Sequence, residues 1–176
     1  MTIEALLKAV PPPAAPVEAF QGPWAAVEAE IGTPLPQDYK DFVRRYGSGE
    51  FLEFFRIYVP WSWHRDARLV PEISRLREAF AEYEELPYPM WPEPGGLLPC
   101  GDSDFGDVFF WLTRGAPNEW TVAFWDRGMQ EFELFDCDLT DFLAGVVTGR
   151  IRPKSFPSDV FPCNRLFERS EDGRPL

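Results

Sequence analysis

The side chains that most often carry out chemistry are few in this sequence and stand apart from one another. His64 is the only histidine, so a Ser-His-Asp or Cys-His nucleophile would have to depend on it. It follows Trp63 and precedes a charged Arg-Asp pair, which predicts a solvated or hydrogen-bonded side chain in a loop. The sequence therefore predicts no catalytic residue at this position.

The cysteines give no sign of a metal or redox site. Cys100, Cys137 and Cys163 are widely spaced and contain no Cys-x-x-Cys pair, which zinc ribbons and thioredoxin-type motifs require. With a single histidine, a zinc site would need carboxylates or cysteines for nearly every other ligand. We therefore expect small buried thiols, and neither a metal ion nor a cofactor.

Two sets of carboxylates deserve a chemical test. Asp102-Ser-Asp104-Phe-Gly106-Asp107 begins like a calcium loop, but such a loop needs glycine at its sixth position and glutamate at its twelfth. Here aspartate is sixth and Thr113 is twelfth, so a turn between strands is the better interpretation. Glu131 and Glu133 share one face of a predicted strand, a spacing compatible with glycoside hydrolysis. Nothing else supports that chemistry, and a solvated strand face accounts for the pair.

The charge of the chain predicts the class of its partner. The 176 residues have a formal net charge of −12. Two-thirds of that charge falls in residues 101–142, which hold 10 acidic and 2 basic side chains. Such a field repels nucleic acid phosphates and anionic lipid and attracts a basic protein. We therefore expect a protein partner, no nucleic acid and no membrane; a purely solubilising role is the alternative.

The N-terminal residues predict the compartment. Glu4 precedes any basic residue and Lys8 interrupts the apolar run, so the segment does not resemble a secretory signal. No apolar stretch approaches the roughly 18 residues of a membrane span. We expect a cytoplasmic protein.

Hydrophobic periodicity predicts an α+β fold. Helices are predicted over residues 3–9, 23–32, 36–46, 71–85 and 138–147. Strands are predicted over residues 50–59, 97–100, 108–112, 119–125 and 130–135. The helices would pack before, between and after a mostly antiparallel sheet of about five or six strands.

Composition also suggests three segments. Residues 1–16 would form an N-terminal helix and a proline-rich link, and residues 17–150 the main domain. Residues 151–176 would form a C-terminal extension that is partly docked through Phe156, Phe161, Leu166 and Phe167 and frayed from residue 168.

Alternation in the last two predicted strands suggests an exposed surface. The core face would hold Trp120, Val122, Phe124, Phe132 and Leu134. The opposite face would then hold Trp125, Phe135, Glu131 and Glu133. Aromatic anchors among charges suit a protein interface, whereas helices on both faces of the sheet would bury the rings.

A second candidate surface lies in loops that contain proline. It consists of Trp61, Trp63 and Trp91. The alternative is that these loops fold back on the core.

Two motifs carry a family resemblance. The first is Trp24-x-x-Val-Glu-x-x-Ile-Gly32-x-Pro-Leu35-Pro36-x-x-Tyr39-x-x-Phe42-Val-x-x-Tyr-Gly47-x-Gly49. The second is Leu98-Pro-x-Gly101-Asp-x-x-x-Gly106-Asp107, followed by aromatic strands and a helix. Together they resemble the SUKH superfamily, which unites fungal cell-wall assembly regulators with bacterial immunity proteins, over roughly residues 20–150. The motif residues are of structural types, so no catalytic residue is transferred.

The resemblance implies a non-catalytic protein-binding domain, most often one that neutralises a bacterial toxin. The toxin is often a basic nuclease. Carboxylates of the immunity protein would then block its active site by standing in for substrate phosphates. The predicted partner-binding residues are Asp102, Asp104, Asp107, Trp125, Glu131, Glu133, Phe135, Trp61 and Trp63. The alternatives are a regulatory interaction module without a toxin partner and an enzyme of unrecognised type.

Overall fold

The computed structural model describes residues 3–83, 85–158, 163 and 165–171. Within these ranges the chain forms five α-helices: α1 (Glu4–Ala9), α2 (Trp24–Ile31), α3 (Gln37–Tyr46), α4 (Leu69–Phe80) and α5 (Leu139–Val147). All five predicted helices are present. The fourth begins two residues earlier than predicted and ends five residues earlier, because a tight turn follows in which Tyr83 N–H donates to the Phe80 carbonyl.

The described residues also form one sheet of seven strands. These are β1 (Gly49–Phe51), β2 (Phe55–Ile57), β3 (Leu97–Ser103), β4 (Val108–Leu112), β5 (Thr121–Asp126), β6 (Glu131–Phe135) and β7 (Phe167–Arg169). Their order is β6-β5-β4-β3-β2-β1-β7, and each neighbouring pair is antiparallel. The α+β prediction is confirmed, with slightly more strands than expected.

The additional edge strand is β7. The prediction that the chain is frayed from residue 168 is wrong for residues 168 and 169, which pair with β1. The Phe167 ring fixes this strand, because its centroid lies 4.8 Å from that of Phe51 and 5.3 Å from that of Tyr46. Phe161 and residues 172–176 lie outside the described residues. The division into residues 1–16, 17–150 and 151–176 stays a prediction.

Helices lie against both faces of the sheet. On one face, Phe80 of α4 packs against Phe110, with ring centroids 5.3 Å apart. On the other face, Tyr39 of α3 packs against Trp111 at 5.0 Å. Strand β4 is buried along its whole length, which confirms that it is central. α1 and α3 contact α5, so these three helices form one layer and α4 the other.

The residues of the first motif hold the helical layer together. The Leu35 N–H donates to Glu28 Oε1 at 2.8 Å, which fixes the turn before α3, and Pro36 precedes the first residue of that helix. The Tyr39 hydroxyl donates to the Tyr58 carbonyl at 2.9 Å, and this bond ties α3 to the end of β2.

Glycines of the motifs occur where the backbone turns or another strand approaches. Gly47 has a φ of 66°, which favours glycine, and a side chain there would collide with the Val17 carbonyl. The same carbonyl accepts a hydrogen bond from Ser48 N at 2.8 Å. The other motif residues lie within or at the ends of helices, in strands or in the turn before β4: Trp24, Gly32, Phe42, Gly49, Gly101 and Gly106.

Among the described residues, none of the helices has the length and apolar character that crossing a membrane requires.

Candidate protein-binding surface

One row of side chains crosses all seven strands on the face that contacts α4. Consecutive cross-strand partners in this row are Glu168, Glu50, Arg56, Asp102, Val108, Trp125 and Phe132. Directly opposite side chains on neighbouring strands lie on the same face. The row is therefore charged over β7, β1, β2 and β3 and apolar over β4, β5 and β6. Phe80 and Tyr83 pack on Trp125 in the apolar part.

The charged part of the row borders an open cleft of about 310 Å³. Its floor consists of β1, β2 and β7, and its side wall is the short segment 64–67 that follows the tryptophan-containing loop. The residues that line it include Glu50, Arg56, Ile57, His64, Ala67 and Glu168. We call this space the acidic cleft.

Arg56 is the centre of an ionic cluster at the cleft floor. Its Nε lies 3.0 Å from Asp102 Oδ1, its Nη2 lies 3.1 Å from Asp104 Oδ1, and its Nη1 lies 3.6 Å from Asp66 Oδ2. One guanidinium thus contacts three carboxylates, and the cluster keeps an excess of negative charge. Asp66 and Asp104 are at least half exposed, so this charge is presented to solvent.

Burial changes the acid strength of the less exposed carboxylates. Burial raises the pKa of Asp102 to about 6, although Arg56 opposes the rise. Burial also raises the pKa of Glu50, and the neighbouring Asp104 raises it further. The cleft therefore holds negative charge that water solvates incompletely, which favours a cationic ligand.

Two tryptophans project from the loop beside the cleft. Trp61 and Trp63 are 46 % and 62 % exposed, and their rings form an edge-to-face pair with centroids 5.3 Å apart. The Trp63 N–H donates to Glu18 Oε1 at 2.7 Å, and the Arg68 guanidinium lies 5.9 Å from the Trp61 ring. We call residues 60–64 the tryptophan loop; its rings are held outward next to His64.

The family of the chain follows from a comparison of its sequence with family models. The model described as SMI1-KNR4 cell-wall, SUKH_6, matches residues 21–143, most of the chain. The chain belongs to the SUKH superfamily. Searches of curated proteins and of solved structures found no significant match. The SUKH match includes β1 and β2 of the acidic cleft, whereas β7 lies beyond it.

The SUKH domain does not form the aromatic and acidic surface predicted on the last two strands. The predicted face assignment is wrong, because β6 pairs so that Phe132 lies opposite Trp125 and Glu133 opposite Phe124. The turn between the strands sets this register, and a shift of one residue exchanges the two faces of a strand. The four residues Trp125, Phe135, Glu131 and Glu133 therefore do not share a face.

Helices on both sides of the SUKH sheet also bury the aromatic members of that predicted surface. Trp125 is 4 % exposed, and the half-buried Phe135 lies against Phe142 of α5 with centroids 5.0 Å apart. Glu133 Oε1 accepts a hydrogen bond from Lys154 N at 2.7 Å. Leu134, predicted in the core, is exposed, as is Glu131 at the sheet edge.

The aspartates in the Gly-Asp motif of the SUKH domain lie in two different environments. Asp102 and Asp104 contact Arg56, as described above. Asp107 is buried instead: its Oδ2 accepts from the Ser103 hydroxyl at 2.8 Å and its Oδ1 from Arg127 N at 3.1 Å. It connects two turns and is not available to a partner, so its prediction as a surface residue is wrong.

The structure connects two of the predicted residues to the acidic cleft and adds others. Asp102 and Asp104 contact Arg56 at its floor, and Trp61 and Trp63 lie in the loop that leads to its side wall; the role of all four in binding stays a prediction. Trp91 is half-buried, and its Nε1 donates to the Ile31 carbonyl at 3.0 Å. Sequence reasoning missed Glu50, Asp66 and Glu168. The alternation of Glu50 with Phe51 was a usable signal, but Glu168 lies in a strand that was not predicted.

Within the described residues, no group of three or more His, Cys, Asp or Glu side chains is placed to hold a metal ion. The nearest set of three carboxylates, around Arg56, is occupied by that guanidinium.

Proposed function

We propose that this SUKH protein is a non-catalytic immunity protein, acting in the cytoplasm, that binds and neutralises a basic toxin. The observation that carries the proposal is the combination of surplus carboxylates around Arg56 with the exposed rings of Trp61 and Trp63. The surface consists of the acidic cleft and the tryptophan loop.

The two parts of this surface would contribute differently. Exposed carboxylates attract a basic partner over a distance and accelerate the encounter. If the toxin is a nuclease, the same carboxylates can bind the cationic side chains with which it otherwise binds the phosphates of its substrate. Large aromatic rings supply the apolar contact area that most often dominates binding energy. Trp61 and Trp63 would therefore govern dissociation, and the carboxylates association.

The description of the matching family model favours a second candidate function. That description names cell-wall proteins, and their role in this superfamily is regulatory. The same surface would then bind a regulated protein with no toxic activity. Both functions are non-catalytic binding, and they differ only in the partner.

Growth rescue separates the two candidates. We would express the C-terminal domain encoded by the adjacent gene in a host cell, alone and together with this protein. A toxin–immunity pair predicts growth arrest by that domain alone, restored growth on co-expression and co-purification of the two. Arrest without rescue, or no arrest, would favour the regulatory module.

Two matched double variants locate the surface. Trp63→Ala with Asp66→Lys removes one ring and reverses one charge beside the cleft, and binding should weaken at least about tenfold. Met129→Ala with Glu131→Lys removes one large exposed apolar side chain and reverses one charge at the β6 edge, where Met129 is 69 % exposed, and should leave binding unchanged. The reverse result would move the interface to β6.

A further inference from the structure

We propose that the partner places the side chain of one arginine in the acidic cleft, with its guanidinium between Glu50 and Glu168. The inference rests on the proposed function, because it identifies the chemistry that the docked polypeptide presents to this surface. The cleft volume of about 310 Å³ lies at the lower end of the range for ligand sites, about 300–1,000 Å³. One long side chain suits this space better than a nucleotide or other large cofactor.

The first argument is an unfavourable charge pair in the sheet. Glu50 of β1 and Glu168 of β7 are direct cross-strand partners, and like charges in such positions destabilise a sheet. The Glu168 side chain is more than half exposed, and its Oε2 accepts a hydrogen bond from Arg165 Nη1 at 2.9 Å. The cation opposite Glu50, Arg56, bonds three other carboxylates instead. A cation between the two carboxylates would remove the repulsion.

The cations that the cleft already contains do not fill this role. Arg56 lies opposite Glu50 in the β1–β2 pair, but all three of its nitrogens are directed at Asp66, Asp102 and Asp104. The raised pKa of Glu50 shows that burial and the nearby carboxylates outweigh the attraction of Arg56. Arg169 also lines the cleft. In the β1–β7 pair it lies opposite Gly49, one residue after Glu168, so its side chain leaves the other face of the sheet.

The walls favour arginine among cationic side chains. Ala67, in the side wall, lines the cleft and can contact the methylene groups of a long side chain whose charged end lies at the carboxylates. A guanidinium is planar and can donate to two carboxylates at once, whereas an ammonium is a more strongly hydrated point charge. The exposed rings of Trp61 and Trp63 lie in the loop that leads to His64, a residue that lines the cleft.

A titration that needs no partner tests the inference. The full chain would be titrated with Nα-acetyl-L-arginine amide at constant ionic strength, while NMR follows the ring protons of His64. This is the only histidine and it lines the cleft, so its signals report on one site. We expect a saturable shift, affinity at least about threefold weaker for the lysine amide, and no shift with the uncharged norleucine amide.

Two cleft variants and one distant variant complete the experiment. Glu50→Gln and Glu168→Gln should each weaken binding at least about threefold, whereas Glu131→Gln at the opposite edge should leave the titration unchanged. Having two cleft variants protects the test if one of them folds poorly, which circular dichroism would show. A flat titration, equal binding of lysine or norleucine, or wild-type affinity in both cleft variants would overturn the inference.

The result is independent of the growth experiment. Failure of the titration removes the arginine site and leaves the toxin–immunity proposal standing. Failure of growth rescue alone removes the toxin partner and leaves an arginine-binding cleft on a regulatory module.

Discussion

The two halves of one cross-strand row differ in almost every physical property, although a single sheet holds both. Val108, Trp125 and Phe132 are apolar and lie on the face that α4 contacts. Glu168, Glu50 and Arg56 are charged and border the acidic cleft. Backbone pairing is antiparallel throughout. Packing against α4 therefore stabilises the apolar half. The charged half places Glu50 opposite Glu168, and this repulsion lowers the stability of the sheet.

The largest expected effect is in the apolar half. Replacing Trp125 with alanine removes a ring that is 4 % exposed and leaves a cavity beside Phe80, so the free energy of unfolding should fall by about 3–5 kcal/mol. Urea denaturation measures this change. A loss below about 1 kcal/mol would mean that the two halves do not differ in their contribution to stability.

The boundary between the halves should respond less strongly. Arg56→Gln leaves Asp102 largely buried without its cation and should cost about 2 kcal/mol at pH 8. The folded pKa of Asp102, about 6, already exceeds the ordinary value, so ionisation of this group opposes folding as the pH rises. Without Arg56 that opposition grows.

The predicted loss in Arg56→Gln is therefore small near pH 4 and largest above pH 7, as urea titrations at several pH values would show. Arg77→Gln, on the exposed side of α4, is the matched control and should change little at any pH. A loss in Arg56→Gln that is independent of pH would contradict the assigned role of Asp102.

A carboxylate on the opposite face of the sheet sharpens the comparison. Asp38 is 7 % exposed, and burial, together with Asp138, raises its pKa to about 6. Among the described residues it has no cationic partner like Arg56; its Oδ2 accepts a hydrogen bond from Thr140 N at 3.1 Å. Asparagine could keep that bond without the charge.

Asp38→Asn should therefore stabilise the protein by up to about 2 kcal/mol at pH 7 to 8. The sign follows from the raised pKa: the ionised carboxyl is disfavoured in the fold, so the wild type loses stability as the pH rises from about 4 through 6. The advantage of the variant should vanish below pH 4. Asp41→Asn, near the surface of the same helix, is the control. An equal gain in stability there would contradict the conclusion that burial of the Asp38 carboxylate opposes folding.

The smallest expected effect is in the charged half. Glu50→Gln relieves the repulsion with Glu168 and should raise the free energy of unfolding by less than about 1 kcal/mol at neutral pH. Glu131→Gln at the exposed edge of β6 should have no measurable effect on thermal or urea unfolding. A marked destabilisation by Glu50→Gln would show that the cleft carboxylate stabilises the fold.

Helices were the part of this fold that the sequence predicted best. In α3, Tyr39, Phe42, Val43 and Tyr46 follow helical spacing and are all buried, and Asp138 caps α5 through a bond to Asp141 N at 2.8 Å. These signals are local, because they depend on residues one or two turns apart. The family motifs are of the same kind, and they gave the SUKH assignment.

The candidate site was predicted only in part because it depends on contacts between distant residues. The register of β6 depends on the turn before it and on packing against Trp125 and Phe142, which alternation alone does not contain. The pairing of Glu50 with Glu168 requires β7, a strand of three residues that is too short for its pattern to be recognised. Trp61 and Trp63 were easier to find, since proline-containing loops usually lie at the surface.

The position of β7 has a consequence for the timing of folding during synthesis. The hydrogen bond between Ser48 and Ser170 joins residues 122 positions apart, and Glu168 closes the cleft from the same strand. Synthesis proceeds from the N-terminus, and sheet pairings between distant segments form slowly. A ribosome-bound nascent chain that has not yet exposed residue 169 would lack part of the cleft floor, so recognition of the proposed partner should begin only once this strand has left the ribosome.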